Sequence, residues 1–393
     1  MSFSGLPLSY CTNVHPGRTV TEVIAGLDRF SLPIRDASGI PLAVGLWLAR
    51  SVMDDLATPD SRQKFATELH RRSLTCYTLN AFPYGDFHSE RVKEQVYLPD
   101  WTCADRLQYT LDCARFLAEV LPAAVDGSIS TVPLGFKALA KSPDFLDRSA
   151  EQLIAAAVAL RQLAEETGKT VRLAIEPEPL CILETTPETL AFFARLRSRA
   201  KTPQDRQAVE KHLGVCYDVC HQSVEFEDVA ASIAALTAEE IRINKLHISC
   251  AIEAVGINSS AAVREALANY IEPRYLHQTL ARRADGMVIS WLDLDQTLLE
   301  QTPPDFASTD LWRVHFHVPV DAMQLGPLGT TRPDLERALA AVYALPYAPH
   351  LEVETYTWEV LPQGGRPEVV AGFARELMAT RKLLDQIAQR SGV

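Results

Sequence analysis

The stretch VRLAIEPEPL (171–180) decides the fold. A short, mostly apolar run rich in β-branched residues stops on a carboxylate, Glu176, and Pro177 closes it. Five or six residues are too few for a helix and suit a strand, and Pro cannot continue a central ladder. The pattern is therefore a buried strand that delivers a charge at its C-terminal end. Working outward, it recurs in GVCYD (214–218), which ends on Asp218, in KLHISC (245–250), which carries His247, and in HLEVETY (350–356), which carries Glu354. Upstream, residues 8–15, 42–48, 75–83 and 128–134 have the same apolar, β-branched character without the terminal charge. That makes eight strands.

Between them lie segments with apolar residues at three- and four-residue spacing, such as DRLQYTLDCARFLAEVL (105–121) and AEQLIAAAVALRQLAEE (150–166), and the pattern returns in PEVVAGFARELMATRKLLDQIA (367–388). Each has one apolar face for a helix to lay on a sheet. Strand and helix in alternation specify parallel βα units, and eight of them close an α/β (β/α)8 TIM barrel spanning residues 1–393 as one domain. One stretch breaks the rhythm. Residues 252–311 hold a helical segment and then RYLHQTLARRADGMVISWLDL (274–294), where Asp285-Gly286 separates two strand-like runs and signals a hairpin. An insertion after the seventh strand leaves the barrel at its C-terminal face, so it is expected to be a lid over the site or an oligomerisation arm.

Composition bounds the function. Apolar residues make up 47% and charged residues 22% of 393, enough to fill a large core. Lys and Arg number 38 against 50 Asp and Glu, a net charge of −12, and a field of that sign repels phosphate backbones. Nucleic acid is therefore disfavoured as a partner, and a small molecule is expected. The eight cysteines show no CxxC pair and sit mostly in apolar runs, which reads as reduced thiols. The start, MSFSGLPLSY, has neither a basic nor an apolar leader region, and no apolar run reaches membrane-spanning length. A cytoplasmic protein is expected, with a homo-oligomer left open.

Strand ends converge at the mouth of a barrel, so Glu176, Asp218, His247 and Glu354, one from each of four successive strands, would surround a common point. Isolated buried charges are costly, and a shared divalent ion removes that cost. Carboxylates mixed with imidazole suit Mn²⁺, Zn²⁺ or Co²⁺, or Fe²⁺, better than a thiolate-selective ion. His315 and His317 in VHFHVP (314–319) are two apart and could extend the metal site, contact substrate or serve structure. His15 and His88 follow the first and third strands in mouth loops, with Trp101 nearby, and are expected to touch substrate or metal. Lys245 and Glu352 share the inward parity of His247 and Glu354 one layer deeper; Lys245 either forms an interior ion pair or presents its charge to a substrate oxyanion. Tyr84, Phe87, Trp291 and Trp358, with Trp101, are candidates for an aromatic pocket wall.

The ordered set Glu176, Asp218-Val-Cys-His221, His247, Glu354 resembles the xylose isomerase-like superfamily, which holds sugar isomerases and epimerases and the endonuclease IV type of repair enzyme. The resemblance implies that Glu176, Asp218, His247 and Glu354 are metal ligands and that His221 binds substrate or a further metal. It also makes VHFHVP similar to the Asp-x-His segment that holds an additional zinc in the endonuclease IV branch, with His315 in place of that Asp. Longer phrases, SYCTNVHP (9–16), LNAFPYGDFH (79–88), VYLPDW (96–101), PEPLCILETT (177–186) and VHFHVPV (314–320), resemble the Ebo-type metabolite-traffic proteins, E component. These are barrel proteins encoded beside prenyltransferase-like partners and linked to moving or maturing secondary metabolites.

Three functions follow as expectations. In the first, a metal polarises a carbonyl and its neighbouring hydroxyl while Glu176 and Glu354 move the proton, as in an isomerase or epimerase acting on a small polyol, carbonyl or secondary metabolite. Sugar epimerases place an Arg shortly after the seventh-strand His, whereas this chain reads HISCAIEAVG (247–256). In the second, His221, His315 and His317 help hold several ions for hydrolysis of a phosphoester or other ester. In the third, the pocket carries a metabolite without transforming it.

Overall fold

The computed structural model describes residues 2–362 and 369–391. Eight parallel strands close a barrel in chain order: Leu8–Cys11, Leu42–Trp47, Thr78–Asn80, Gly127–Thr131, Val171–Ile175, Leu213–Asp218, Ile243–Ile248 and His350–Val353. The last pairs with both the first and the seventh, for example Tyr10 with Val353 and Glu352 with His247. All eight strands expected from the sequence are present. Six are shorter than the apolar runs that announced them, while the sixth begins one residue before the expected 214 and the seventh two residues before the expected 245.

The outer helices follow from their spacing. Helix Phe145–Thr167 buries Ala150, Leu153, Ala156, Ala157 and Leu160 against the barrel, and helix Ala104–Val120 buries Tyr109, Cys113, Phe116 and Leu117. Helix Thr186–Arg199 opens with a reciprocal cap, in which the Thr185 side chain and Glu188 satisfy each other's backbone N–H groups. The final helix is Val369–Ser391; Pro367 and Glu368, where the sequence pattern began, lie outside the described residues.

After the seventh strand the chain builds a second, six-stranded antiparallel sheet. Its strands, in spatial order, are Val288–Trp291, Thr279–Arg282, Leu311–Val314, Ile252–Val255, Leu328–Thr330 and Gln324–Leu325. The Asp285-Gly286 signal is the turn of the hairpin formed by the first two of these: Gly286 has φ +88°, and Arg283 N–H donates to Met287 O at 2.9 Å. Helix Ala261–Ala268 precedes the hairpin. The sheet runs on to Thr330, past the expected limit at 311, because Leu311–Val314 pairs on both sides and Leu328–Thr330 pairs with the other side of Ile252–Val255. This sheet places His315 and His317 just beyond the strand Leu311–Val314 and Gln278 just before Thr279. No helix among the described residues is long and apolar enough to cross a membrane.

Candidate metal centre

The barrel interior below the mouth is polar and closed. Lys245 Nζ lies 2.7 Å from Glu352 Oε1, both side chains fully buried, and Ser9 Oγ donates to Glu352 Oε2 at 2.9 Å. Gly45 makes room for this carboxylate: a Cβ there would stand 1.5 Å from Glu352 Oε2. Burial favours the neutral form of Glu352, but Lys245 and His247 hold its pKa down at about 2. His247 Nε2 sits 3.4 Å from the same carboxylate, so the ring is oriented from beneath.

Above it, the other ring nitrogen of His247 faces three carboxylates from three other strands. Nδ1 lies 3.0 Å from Glu176 Oε1, 3.2 Å from Asp218 Oδ2 and 2.9 Å from Glu354 Oε2. A single N–H satisfies at most one of these oxygens. Donor atoms of Glu176, Asp218, His247 and Glu354 all lie within 4.8 Å of one another, and Glu176 Oε2 and Asp218 Oδ2 are buried without a hydrogen-bond partner. Such a convergence of lone pairs in a dry site fits a divalent cation. Neighbouring groups brace the carboxylates. Asn13 Nδ2 and Asn80 Nδ2 each donate to Glu354 Oε1 at 2.9 Å, and Ser249 Oγ and the His221 N–H donate to Asp218 Oδ1 at 2.7 and 3.1 Å.

A second donor set adjoins the first. His221, His315 and His317 pack ring to ring at 4.5 to 5.6 Å between centroids. Each has its Nδ1 tied to an oxygen: His221 to Pro177 O at 3.0 Å, His315 to Gln278 Oε1 at 2.7 Å and His317 to Glu354 O at 2.8 Å. These acceptors require the proton on Nδ1, which leaves Nε2 as a lone pair wherever the ring is neutral. His315 Nε2 and His317 Nε2 are buried without partners, and the Nε2 atoms of His221 and His317 lie 4.0 Å from Asp218 oxygens. Asp218, His221 and His317 form one compact group, and Glu178, His221 and His315 form another.

The charges follow from this packing. Burial favours a neutral Asp218, yet His221 and His317 hold its carboxyl well below the usual range, and the same balance with His247 lowers Glu354. Burial keeps His315 well below, and His317 below, the ordinary imidazole value, so both rings are neutral at pH 7. His221 is raised: burial opposes its charge, but Asp218 and Glu178 outweigh it. Burial lifts Glu178 to about 7, against the opposing pull of His221 and a hydrogen bond from the Tyr97 hydroxyl at 2.7 Å.

Glu176, Glu354, His221 and His315 line a cavity of about 60 Å³ at the barrel mouth, together with Asn13, Asn80 and Glu178. Other expected contacts do not reach it. Lys245 is the interior ion partner of Glu352 and lies beneath His247. Trp101 is fully buried with Nε1 on Thr131 Oγ1, a core position that corrects its assignment to the substrate. His15 stacks on Phe30 at 4.0 Å beside a separate small cleft, and His88 Nε2 bonds Asn13 O at 2.8 Å, so it braces the loop that carries Asn13. Among the expected wall aromatics Phe87 lines the cavity, while Trp358 is buried with its N–H on Glu376. Asn13, Asn80, Glu178, Tyr97 and Gln278 were missed; the signal for the two asparagines was their place just past the first strand and at the end of the third.

No family model matches the chain, and no curated protein does either. Among solved structures, L-ribulose 3-epimerase superposes with a TM-score of 0.52 at 13% identity, covering 100% of this chain and 97% of the other. A xylose isomerase domain protein from Alicyclobacillus acidocaldarius subsp. acidocaldarius gives 0.49 at 14% identity, covering 98% of this chain and 99% of its own. A xylose isomerase-like TIM barrel protein from Mycobacterium smegmatis, in complex with magnesium, gives 0.49 at 11% over the same shares. The chain thus shares the (β/α)8 barrel fold with L-ribulose 3-epimerase.

Proposed function

We propose that this chain is a divalent-metal-dependent enzyme of the isomerase or epimerase type, which moves a proton on a small substrate bearing a carbonyl and an adjacent hydroxyl. The observation that carries the reading is the pair Glu176 and Glu354, which both approach His247 Nδ1 and both line the mouth cavity. Glu176, Asp218, His247 and Glu354 would hold the ion, which when bound supplies polarisation of the substrate oxygens. Mn²⁺, Zn²⁺ and Co²⁺ suit the donor set.

The chain's own residues do the rest. Two amide donors fix Glu354 Oε1 and favour its carboxylate form, whereas Glu176 Oε2 has no partner and is the atom that accepts or returns a proton. Glu178, lifted by burial to a pKa of about 7, can take up or give up a proton beside His221 and His315. The insertion serves as a lid: Tyr275 and Leu276 line the cavity, and Lys93, from the loop after the third strand, clamps it through Glu272 O, Tyr275 O and Asp293 Oδ2 at 2.6 to 3.1 Å. Water is thereby kept from the reacting atoms. The likeness to the Ebo-type proteins supports a cytoplasmic role in metabolite traffic.

The test is deuterium wash-in at the carbon next to the carbonyl, using the Mn²⁺-loaded protein and a panel of hydroxyketones in D₂O. Exchange that disappears in Glu176→Gln is expected. A metal-bound protein that exchanges nothing would sink the reading. A second reading, metal-assisted hydrolysis, is favoured by the donor sets that His221, His315 and His317 form with Asp218 and Glu178. More than one ion per chain together with phosphoesterase activity would select it; one ion with neither reaction would leave a metabolite carrier.

A further inference from the structure

The mouth cavity is divided by chemistry. Its floor is the carboxylate and imidazole cluster, and its roof is made of Phe82, Phe87, Val92, Val96, Tyr275 and Leu276. The rings of Phe87, Tyr275 and Tyr356 pack on one another at 4.9 to 5.5 Å. Four of the side-chain donors that border the cavity, on Asn13, Asn80, Tyr97 and Lys93, are already engaged. Asn13 and Asn80 donate to Glu354, and the Tyr97 hydroxyl donates to Glu178. The Lys93 ammonium is surrounded by two carbonyls and Asp293. On the roof, the Tyr275 hydroxyl is the buried donor without a partner. The unsatisfied polar atoms at the floor, Glu176 Oε2, His315 Nε2 and Asn13 Oδ1, are acceptors.

A free sugar carries hydroxyls along its whole length, and each needs both a donor and an acceptor around it. In this cavity the hydroxyls away from the floor would meet aromatic and branched apolar carbon, and each one left unmatched weakens binding by roughly tenfold or more. An apolar body gains there instead, since burying a ring of phenyl size favours binding by about 10- to 100-fold. From this accounting we infer that the substrate has an oxygen-bearing head and an apolar, ring-sized body: an α-hydroxyketone or diol attached to an aromatic or branched hydrocarbon group. The head faces the floor, and the body lies against Phe87 and Val96. This rests on the proposed proton-moving function for the direction of the head, while the preference for an apolar body stands on the roof alone.

The experiment compares three probes by calorimetric titration on the Mn²⁺-loaded full chain: 2-hydroxyacetophenone, which has a phenyl body, dihydroxyacetone, which has a comparable head without it, and D-fructose. The expected result is that 2-hydroxyacetophenone binds at least tenfold tighter than either of the others. Phe87→Ala, and separately Val96→Ser, should bring that ratio down by about tenfold, with metal content unchanged. D-fructose binding as tightly as the phenyl ketone would overturn the inference, as would an unchanged ratio in both variants. Metal content and deuterium exchange, measured on the same samples, report on the function itself. A phenyl preference without exchange would refute the proton-moving reading and leave the apolar-body inference standing; exchange without a phenyl preference would do the reverse.

Discussion

Lys245→Met should unbalance the buried platform under the metal centre. The ammonium it removes is 2.7 Å from Glu352 Oε1, with neither side chain reaching solvent. Glu352 would keep the Ser9 hydroxyl at 2.9 Å and His247 at 3.4 Å, but no full counter-charge of its own. Leaving a buried carboxylate unpaired costs about 3–5 kcal/mol. With an unfolding entropy of about 0.8 kcal/mol/K for a chain of this length, the melting temperature should fall by about 4–6 °C at pH 7. The pH dependence has a definite sign. In the wild type, the Glu352 pKa is depressed to about 2, so its contribution to stability is present above the ordinary carboxyl value near 4.3 and is lost as pH falls through 2. In the variant, burial raises that pKa, and protonation relieves the unpaired charge, so the deficit should be smaller at pH 5 than at pH 8. Lys245→Met with Glu352→Leu should cost less than Lys245→Met alone, since an apolar pair leaves no orphaned charge. The assay is scanning calorimetry across that pH range. A loss under about 2 °C that does not vary with pH would refute the reasoning.

Three further changes test neighbouring parts. Gly45→Ala puts a methyl 1.5 Å from Glu352 Oε2, within a barrel strand that cannot yield, and should abolish soluble expression or lower the melting temperature more than Lys245→Met does. Asn80→Ala removes one of the two amides on Glu354 Oε1 and should weaken metal binding by about 10- to 100-fold in a chelator competition, with the fold intact by circular dichroism. Lys93→Met frees the lid from Glu272 O, Tyr275 O and Asp293; amide exchange across residues 88–97 and 272–276 should speed up by about tenfold or more, while the eight barrel strands keep their protection.

The barrel was legible in the sequence because its strands are buried on both faces, which gives short apolar runs that no surface element imitates. The convergence of Glu176, Asp218, His247 and Glu354 was legible for a related reason: a charge that ends an apolar strand can only be at the rim. The reach of side chains from loops was not. His15 shares with Asn13 the loop after the first strand, and Trp101 lies in the long connection after the third, yet Trp101 turns into the core and His15 against Phe30, while Asn13 turns to Glu354. Strand parity says nothing about direction once the chain has left the ladder. Glu178 is the same case: its place two residues past Glu176 did not disclose that Tyr97 and Gln278, from two other loops, would hold it at the cavity. The second sheet was half legible, since Asp285-Gly286 marks its hairpin, but the pairing of Leu311–Val314 with Ile252–Val255 joins segments nearly sixty residues apart and has no local signature.

The most direct test of the account is to strip the protein with chelator, titrate it with Mn²⁺ and with Zn²⁺, and locate the ions by anomalous diffraction. The account predicts a saturable site with an ion held by Glu176, Asp218, His247 and Glu354, lost in Asp218→Asn and His247→Ala. A chain that takes up no ion there, or one whose stoichiometry is unchanged in both variants, would contradict it.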